Sequence, residues 1–328
     1  MPVIIIPFKK PVPTVCKLTC DKLFLTFPIE DKYHKAVISN LLNGGGVGKP
    51  CIRYKHSIKL PIHKSEHTNI NDDKTGDSHV IIQCEPRNQN ANFLRLECNP
   101  SKIYMPILES IIDSISPIKY VDLILTARVN RCDLAVNIEH ADIDSLYFNV
   151  SKSQYSEIKM KYGKSIYLGT SDSPTQFVFY DKKAEIKHKN SKKEKFIKEI
   201  VPKFAITRSE IRLMPKKKKS LLDLLEFSNP FNRVTIWKFP EKLFEVSDFW
   251  VFFLCVAKYE GLHSAMAKLS PARKKEFNKH FGHLQPDFWM PDEIWKELPN
   301  VIAEILNPSN PESAMCFEGG CFDQLISA

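Results

Sequence analysis

Apolar and polar residues alternate along most of the first two thirds of the chain, which is the period-2 pattern of half-buried β-strands. The runs that show it are KLTCDKLFLTFP, IRYKHSIKLP, HVIIQCEP, NFLRLECNP, RVNRCDLAVNIEH, KSIYLGT, TQFVFYDK and FAITRSEIRLMP. Two stretches change to helical spacing: residues 106–115, with Pro106 suited to a first turn, and the lysine-rich residues 182–201. The pattern therefore predicts strands interrupted by two helices.

From Ser220 onward the spacing of apolar residues is helical and rich in aromatics. We therefore predict an α+β domain over residues 1–219, with an antiparallel or mixed sheet, followed by an all-α domain over residues 220–328. Two strands, NFLRLECNP and ITRSEIRLMP, both contain Arg-x-Glu and both end in proline. This echo favours a sheet made of two related halves by internal duplication.

Composition limits the class of protein. The chain has 328 residues, of which 43% are hydrophobic and 26% charged, as in globular proteins. No apolar run approaches the ~20 residues of a membrane helix, and the N-terminus MPVIIIPFKKPVP is too short and too rich in proline for a signal peptide. The nine cysteines show no CxxC spacing, so we expect reduced thiols, a cytoplasmic location and no membrane partner.

Positive charge is concentrated in one segment. The net charge is +9, yet residues 181–219 alone hold fifteen Lys and Arg against five Asp and Glu, a local net charge of +10. Such a concentration favours a polyanionic partner, the alternative being a solvated lysine-rich loop. The candidate contacts are Lys182, Lys187, Lys189, Lys192, Lys193, Lys216, Lys217, Lys218 and Lys219.

Three predicted strands carry an arginine two residues before an acid, and residues two apart on a strand face the same side. The pairs are Arg95 with Glu97, Arg131 with Asp133, and Arg208 with Glu210. If these strands are neighbours, their carboxylates converge and are suited to Mg²⁺ or Mn²⁺, which need only one or two carboxylates. The alternative is a set of ion pairs that only stabilise the sheet.

Asp133 and Glu210 are the stronger metal-ligand candidates. Both stand among apolar neighbours, where an acid is costly unless it is paired or bound to metal. Glu97 is the weaker candidate, because its strand lies far upstream and belongs to the other half of the proposed duplication.

Tyr180 stands where the strand QFVFY meets the lysine-rich helix. A tyrosine can attack phosphorus, but its phenol has a pKa of ~10 and needs a nearby cation or metal to favour the phenolate. Lys183, three residues on, falls on the same side if a helix begins there. Tyr167 in SIYLGT is a rival nucleophile, and a strand-end tyrosine that only packs its ring is the alternative.

The ordered motifs NRCDLAVNIE, YGKSIYLGTSDSPTQFVFYDKKAE and ITRSEIRL, with CEPRNQNANFLRLECNPSKI upstream, resemble the replication initiation proteins of rolling-circle plasmids and filamentous phages. The Rep_trans-type initiators are the most similar, and the resemblance spans most of residues 80–215. It implies an HUH-like, metal-dependent enzyme in a bacterial host. Such enzymes bind a double-strand origin, nick one strand, stay joined to its 5′ phosphate through tyrosine and leave a 3′-OH that primes synthesis.

Carried over to this sequence, the resemblance makes Tyr180 the nucleophile and Lys183 its supporting cation, with Asp133 and Glu210 as ligands of Mg²⁺ or Mn²⁺. Arg131 and Arg208 become charge partners or phosphate contacts. Tyr167 and Gly169 shape the preceding turn. The nicked single strand is then the DNA partner, with a host helicase and a second copy of the chain as further partners.

The sequence departs from the classical HUH group, because it has no His-hydrophobic-His motif, and Asn137 stands where a second acid is more usual. A non-catalytic origin-binding protein therefore stays open as the second hypothesis. The two hypotheses differ at Tyr180, since only the enzyme forms a covalent adduct with DNA.

Overall fold

A computed structural model describes residues 12–44, 47–48, 51–62, 78–151, 156–160, 163–191, 201–238, 247–281 and 286–309. The described residues form thirteen strands, which are β1 (Thr14–Val15), β2 (Thr19–Phe27), β3 (Val47–Gly48), β4 (Tyr54–Ile62), β5 (Ser78–Pro86), β6 (Leu94–Cys98), β7 (Arg128–Glu139), β8 (Leu146–Val150), β9 (Ser156–Lys159), β10 (Ser165–Leu168), β11 (Thr175–Asp181), β12 (Ile206–Leu213) and β13 (Val234–Lys238). They also form nine α-helices, which are α1 (Asp31–Asn43), α2 (Met105–Ile115), α3 (Tyr120–Leu125), α4 (Lys182–Ser191), α5 (Asp248–Glu260), α6 (Leu262–Ala267), α7 (Pro271–Phe281), α8 (Pro291–Trp295) and α9 (Leu298–Leu306).

Eleven of the strands form one antiparallel sheet. Its order is β3-β4-β5-β6-β2-β7-β12-β11-β10-β9, and β1 pairs with β7. The order is symmetric about the central β2–β7 pair: β6, β5 and β4 extend on one side, and β12, β11 and β10 extend on the other. The protein is thus a mixed α/β structure with a large antiparallel sheet, as the alternating pattern predicts.

One face of this sheet carries the hydrophobic core. Successive residues of a strand point to opposite faces, so Leu23, Leu25 and Leu134 are fully buried on one face while the residues between them lie on the other. Leu108 of α2 and Ile302 of α9 belong to the same apolar cluster. Helices therefore cover this face, and the opposite face is left for polar side chains.

The region after residue 219 contributes to the same core. Ile302 and Ile305 of α9 belong to the apolar cluster of the sheet, and the Tyr120 hydroxyl donates to the Ile305 carbonyl at 2.7 Å. A second cluster surrounds Trp250 and includes Phe253 and Phe277. The domain boundary at residue 219 stays a prediction, and side chains from both sides of it share one core.

The prediction that residues 220–328 are all helical is wrong for one segment. Strand β13 pairs antiparallel with β8 in a separate two-stranded sheet. Its sequence VTIWK alternates, with Val234 and Ile236 buried, and β-branched and aromatic residues suit a half-buried strand.

Among the described residues, seven cysteines are present and all are free thiols. None of the helices in the described part of the chain has the length and apolar character needed to cross a bilayer.

Candidate active site on the polar face of the sheet

The polar face is the side of the sheet that carries Tyr180, Arg208, Glu210, Asp133 and Arg131. Strand register brings these residues together. On neighbouring strands, Tyr180 lies opposite Arg208, and Arg208 lies opposite Asn137. Two residues further along β12, Glu210 lies opposite Ala135 of β7, and two residues beyond that Arg212 lies opposite Asp133. The Arg-x-Asp and Arg-x-Glu motifs of β7 and β12 therefore form one continuous site.

Asp133 is held by arginines. Only 2% of this residue is exposed. Arg131 donates to both of its carboxylate oxygens, at 2.7 Å to Oδ1 and 2.6 Å to Oδ2. The Nε of Arg212 lies 3.9 Å from Oδ2. A buried carboxylate is tolerated only with such partners.

Glu210 is next to Asp133 and shares Arg212 with it. Its Oε1 accepts a hydrogen bond from Arg212 Nε at 2.7 Å, and 7% of the residue is exposed. Burial raises the pKa of Glu210 above its ordinary value of 4.5; Arg212 opposes this rise and the negative charge of Asp133 adds to it. Two buried acids so close together make a site that favours additional positive charge.

Arg208 is the buried cation at the centre of the site, with 6% of the residue exposed. It donates to Asn137 Oδ1 at 2.7 Å and forms an ion pair with the Asp21 carboxylate. Its Nε is buried and has no hydrogen-bond partner among the described residues. This arginine is therefore fixed beside Tyr180 by groups from β2 and β7.

The surroundings of Tyr180 disfavour the phenolate form of its side chain. Burial raises the pKa of its phenol well above the ordinary value of 10.0. The charge of Arg208 opposes this rise, whereas the negative charges of Glu185, Glu210 and Asp21 reinforce it. A nucleophilic role for Tyr180 therefore requires more positive charge near its hydroxyl than the protein alone supplies.

Lys182 is the lysine next to Tyr180: its Nζ lies 5.9 Å from the centroid of the Tyr180 ring. Lys183 Nζ instead donates to the carbonyl oxygen of Lys203 at 2.8 Å. The reason is that α4 begins at Lys182, one residue after Asp181, whose carboxylate accepts from the Ala184 N–H at 2.9 Å. Lys182 is therefore placed to act as the supporting cation of Tyr180, the role that the sequence predicts for Lys183.

Lys182 is itself part of a charged cluster at the start of α4. Its Nζ lies 2.6 Å from Glu185, which also pairs with Lys189 at 2.5 Å. Burial lowers the pKa of Lys182, and Arg208 lowers it further while Glu185 opposes. Although burial raises the pKa of Glu185, the two lysines outweigh it and hold that pKa at about 2.

Tyr167 also lies on the polar face, opposite Val178 in the β10–β11 pair. Lys159 Nζ is 4.9 Å from its ring centroid, and the Arg212 guanidinium carbon is 5.7 Å away. Gly169 follows with φ +92°, a left-handed conformation that glycine adopts readily. Both tyrosines therefore stay candidates as nucleophiles.

The third predicted pair, Arg95 and Glu97, is on the same face but apart from the other two. Strand β6 is separated from β7 by β2, and Glu97 lies opposite Phe24 of β2. Glu97 is 3.5 Å from both Arg95 and Lys22. The structure thus brings Asp133 and Glu210 together and leaves Glu97 two strands away from Asp133.

The predicted lysines are divided between two places. Lys187 is exposed on α4, while Lys192 and Lys193 lie outside the described residues. Lys216, Lys217 and Lys218 are exposed and line a cleft of about 990 Å³. Lys219 pairs with Asp223 at 3.4 Å. We call this cleft the basic cleft. It is lined by Lys216, Lys217 and Lys218 and also by Arg131 and Phe24.

Asp21 is a site residue that the sequence analysis missed. The β2–β7 register shifts between Cys20 and Lys22, which makes Asp21 the extra residue of a β-bulge. Its carboxylate pairs with Arg208 and accepts a hydrogen bond from Ser101 at 2.8 Å. One signal of this bulge is the spacing of two buried residues. Cys20 and Leu23 are both buried although they are three residues apart, whereas a regular strand places such residues on opposite faces.

The carboxylates of Asp133 and Glu210 meet some of the requirements of a metal site. Within the described residues, no group of three His, Cys, Asp or Glu is arranged to hold a metal ion. Asp133 and Glu210 nevertheless supply hard oxygen donors, and Mg²⁺ can be held by one or two carboxylates with several waters. Both carboxylates already bind arginines, so a cation has to share them with Arg131 and Arg212.

No family model and no curated protein matches this chain. Among solved structures, the chain is similar to a rolling circle replication initiator protein from Geobacillus stearothermophilus, with 13% sequence identity. The match covers 74% of this chain and 97% of that chain, with a TM-score of 0.38. A superposition this loose does not establish a common fold.

Proposed function

We propose that the chain is a DNA strand transferase that nicks and rejoins one strand to initiate rolling-circle replication. The observation that carries the proposal is the register of the polar face. It aligns Tyr180 with the buried Arg208 and sets the carboxylates of Glu210 and Asp133 along the same strands. The resemblance of the ordered motifs over residues 80–215 to replication initiation proteins supports the same conclusion.

The reaction is a transesterification at phosphorus. Tyr180 Oη attacks the scissile phosphodiester, so that an Oη–P bond forms and the P–O3′ bond breaks. The phenolic proton passes to solvent, and the leaving 3′ oxygen takes up a proton to become a 3′-OH. Because the bond energy is kept in the phosphotyrosine, a 3′-OH can later attack it and rejoin the strand.

Protein charges favour this attack. Arg208 is fixed next to Tyr180, and Lys182 Nζ lies 5.9 Å from the centroid of the Tyr180 ring. Both cations stabilise a developing phenolate and the phosphate it attacks. A bound Mg²⁺ or Mn²⁺, held by Asp133 and Glu210, would supply the remaining positive charge and polarise the phosphate.

Two finer proposals accompany this function. The symmetric strand order about β2 and β7 supports an HUH-like nicking core built by internal duplication, with only the β7–β12 half catalytic. A host helicase, a second copy of the chain and a plasmid or phage origin are implied by the family resemblance alone and stay predictions.

The second candidate function is origin binding without cleavage, which the arginine-paired carboxylates would also allow. A denaturing gel separates the two after incubation with single-stranded origin DNA and Mn²⁺. We expect a protein–DNA adduct that maps to the Tyr180 peptide and disappears in Tyr180→Phe, while Tyr167→Phe keeps it. An adduct on Tyr167 would move the nucleophile, and repeated absence of any nick on cognate DNA would leave only the binding function.

A further inference from the structure

The basic cleft lies at the opposite end of the polar face from Tyr180. Five arginines line it together with the run Lys216–Lys218, and they are Arg53, Arg87, Arg95, Arg128 and Arg131. Among the described residues that line the cleft, none is an acid. So many cations around one open cavity make a strong attraction for phosphate groups.

Several of these cations are available to a ligand. Arg53 and Arg87 are exposed, as are Lys216, Lys217 and Lys218. They lie on loops at the ends of β4, β5 and β12, where side chains can follow an extended backbone. Cations that are solvated rather than buried in ion pairs contribute mainly by releasing counterions from nucleic acid.

Phe24 is the unusual residue of the cleft. It is half-buried on the polar face, where its neighbours across the strands are Arg131 and Glu97. Lys22 Nζ and the Arg95 guanidinium carbon both lie 4.9 Å from its ring centroid, and that of Arg131 lies 5.6 Å away. An aromatic ring and arginine planes on an open sheet surface are the groups on which unpaired bases stack.

We propose that the basic cleft binds single-stranded DNA, with phosphates on its exposed cations and one base stacked on Phe24 and its flanking arginines. The proposal rests on the proposed function only in taking DNA as the substrate. Phe24 and Tyr180 are three strands apart across the sheet and six residues apart along it, about 25 Å. The cleft therefore holds nucleotides a few positions away from the scissile phosphate.

The test is fluorescence anisotropy of the full chain in EDTA, with a labelled oligothymidylate of about 12 nucleotides. Phe24→Ala is expected to weaken binding about tenfold, within the ~1–3 kcal/mol of one stacked base. It should leave the affinity for a duplex of the same length nearly unchanged. Phe252→Ala is the matched control, since Phe252 is 71% exposed on α5 and lies outside the cleft.

Phe24→Leu keeps an apolar side chain on β2 but removes the π face, so it should weaken binding similarly in a protein with an unchanged unfolding midpoint. Substituting Lys216, Lys217 and Lys218 by Gln should lower the salt slope of single-strand binding by about 2, at ~0.7 for each phosphate contact. The same change at Lys274, Lys275 and Lys279 of α7 is the control and should leave the slope in place.

The proposal is overturned if Phe24→Ala binds like Phe252→Ala, or if it weakens single-strand and duplex binding equally. A clear preference for an RNA oligonucleotide of the matched sequence would overturn the assignment to DNA. Because no metal is present, binding is measured without strand cleavage. Single-strand binding that does not depend on Phe24 therefore refutes the proposed binding site in the cleft, whereas a missing Tyr180 adduct refutes only the nicking function.

Discussion

The two halves of the sheet share a serine and an arginine in one row across the polar face and differ at the other two positions of that row. In the β7–β12 half, the row across the strands runs Ser165, Tyr180, Arg208 and Asn137. In the β2–β6 half, the corresponding row runs Ser57, Gln83, Arg95 and Thr26. An amide thus stands where the other half has a phenol, and Arg95 donates to the Gln83 side chain. A carboxamide cannot act as the nucleophile, so Gln83 cannot take the role that we propose for Tyr180.

The halves also differ in how far their charges are removed from water. The side chains of Arg208 and Glu210 are 8% and 9% exposed, whereas those of Arg95 and Glu97 are 17% and 23% exposed. Electrostatic interactions are stronger where water is excluded. The β7–β12 half therefore keeps its charges further from water than the β2–β6 half, which borders the basic cleft. This contrast is the one expected if the first half stabilises developing charge and the second holds a solvated strand, as we propose.

The largest expected effect is on the free energy of unfolding. Arg208→Met leaves the Asp21 carboxylate and the Asn137 amide without their buried partner, and removing one member of a buried pair costs about 3–5 kcal/mol. Arg95→Met is the matched change in the other half and should cost about 1 kcal/mol, the range of a more solvated pair. Urea unfolding measures both. Equal losses in the two variants would show that the halves do not differ in burial of charge.

An intermediate effect is expected on the rate of adduct formation. Lys182→Met removes the ammonium 5.9 Å from the Tyr180 ring and should slow the reaction about tenfold, or ~1.4 kcal/mol in the activation barrier. Lys183→Met is the control, because Lys183 Nζ binds the Lys203 carbonyl. A larger loss in Lys183→Met would return the supporting role to the lysine predicted from sequence.

The smallest effect concerns pH. The folded pKa of Glu210 is raised above 4.5, so between the unfolded and folded values the folded state binds more protons. Its contribution to stability is present at low pH and is lost as pH rises through the folded pKa. Relative to Glu210→Gln, the wild type should therefore become more stable as pH falls from ~7 towards 4.5.

Urea unfolding at several pH values checks this, with Glu97→Gln as the control in the other half. A wild-type curve parallel to that of Glu210→Gln over this range would mean that burial does not raise the pKa of Glu210.

The local alternation of apolar and polar residues predicted much of the fold and part of the candidate site. The alternation around Arg131, Asp133, Arg208 and Glu210 predicted strands with these side chains on one face, and the register of β7 with β12 confirms that they share a face. The segment VTIWK alternates in the same way, but the helical spacing around it hid strand β13. Its pairing partner β8 lies more than eighty residues upstream, a distance that a local window does not cover.

Other site residues followed from tertiary geometry. Asp21 reaches Arg208 because a bulge inserts one residue into β2, and the pairing of Arg212 with both Asp133 and Glu210 depends on register. Lys182 rather than Lys183 lies next to Tyr180 because of where α4 starts. Each of these contacts depends on a shift of a single residue in a bulge, in the strand register or at a helix start. The periodicity of a strand does not determine such a shift.

From the sequence it followed that Arg131 shares a face with Asp133 and Arg208 with Glu210, because side-chain direction in a strand follows directly from position. The order of the strands, their register and the bulge at Asp21 were decided by packing of the opposite, apolar face against the helices. Burial on that face selects one pairing among several that the local pattern allows. That selection placed Tyr180 beside Arg208 and Gln83 beside Arg95, and so distinguished a candidate catalytic half from a binding half.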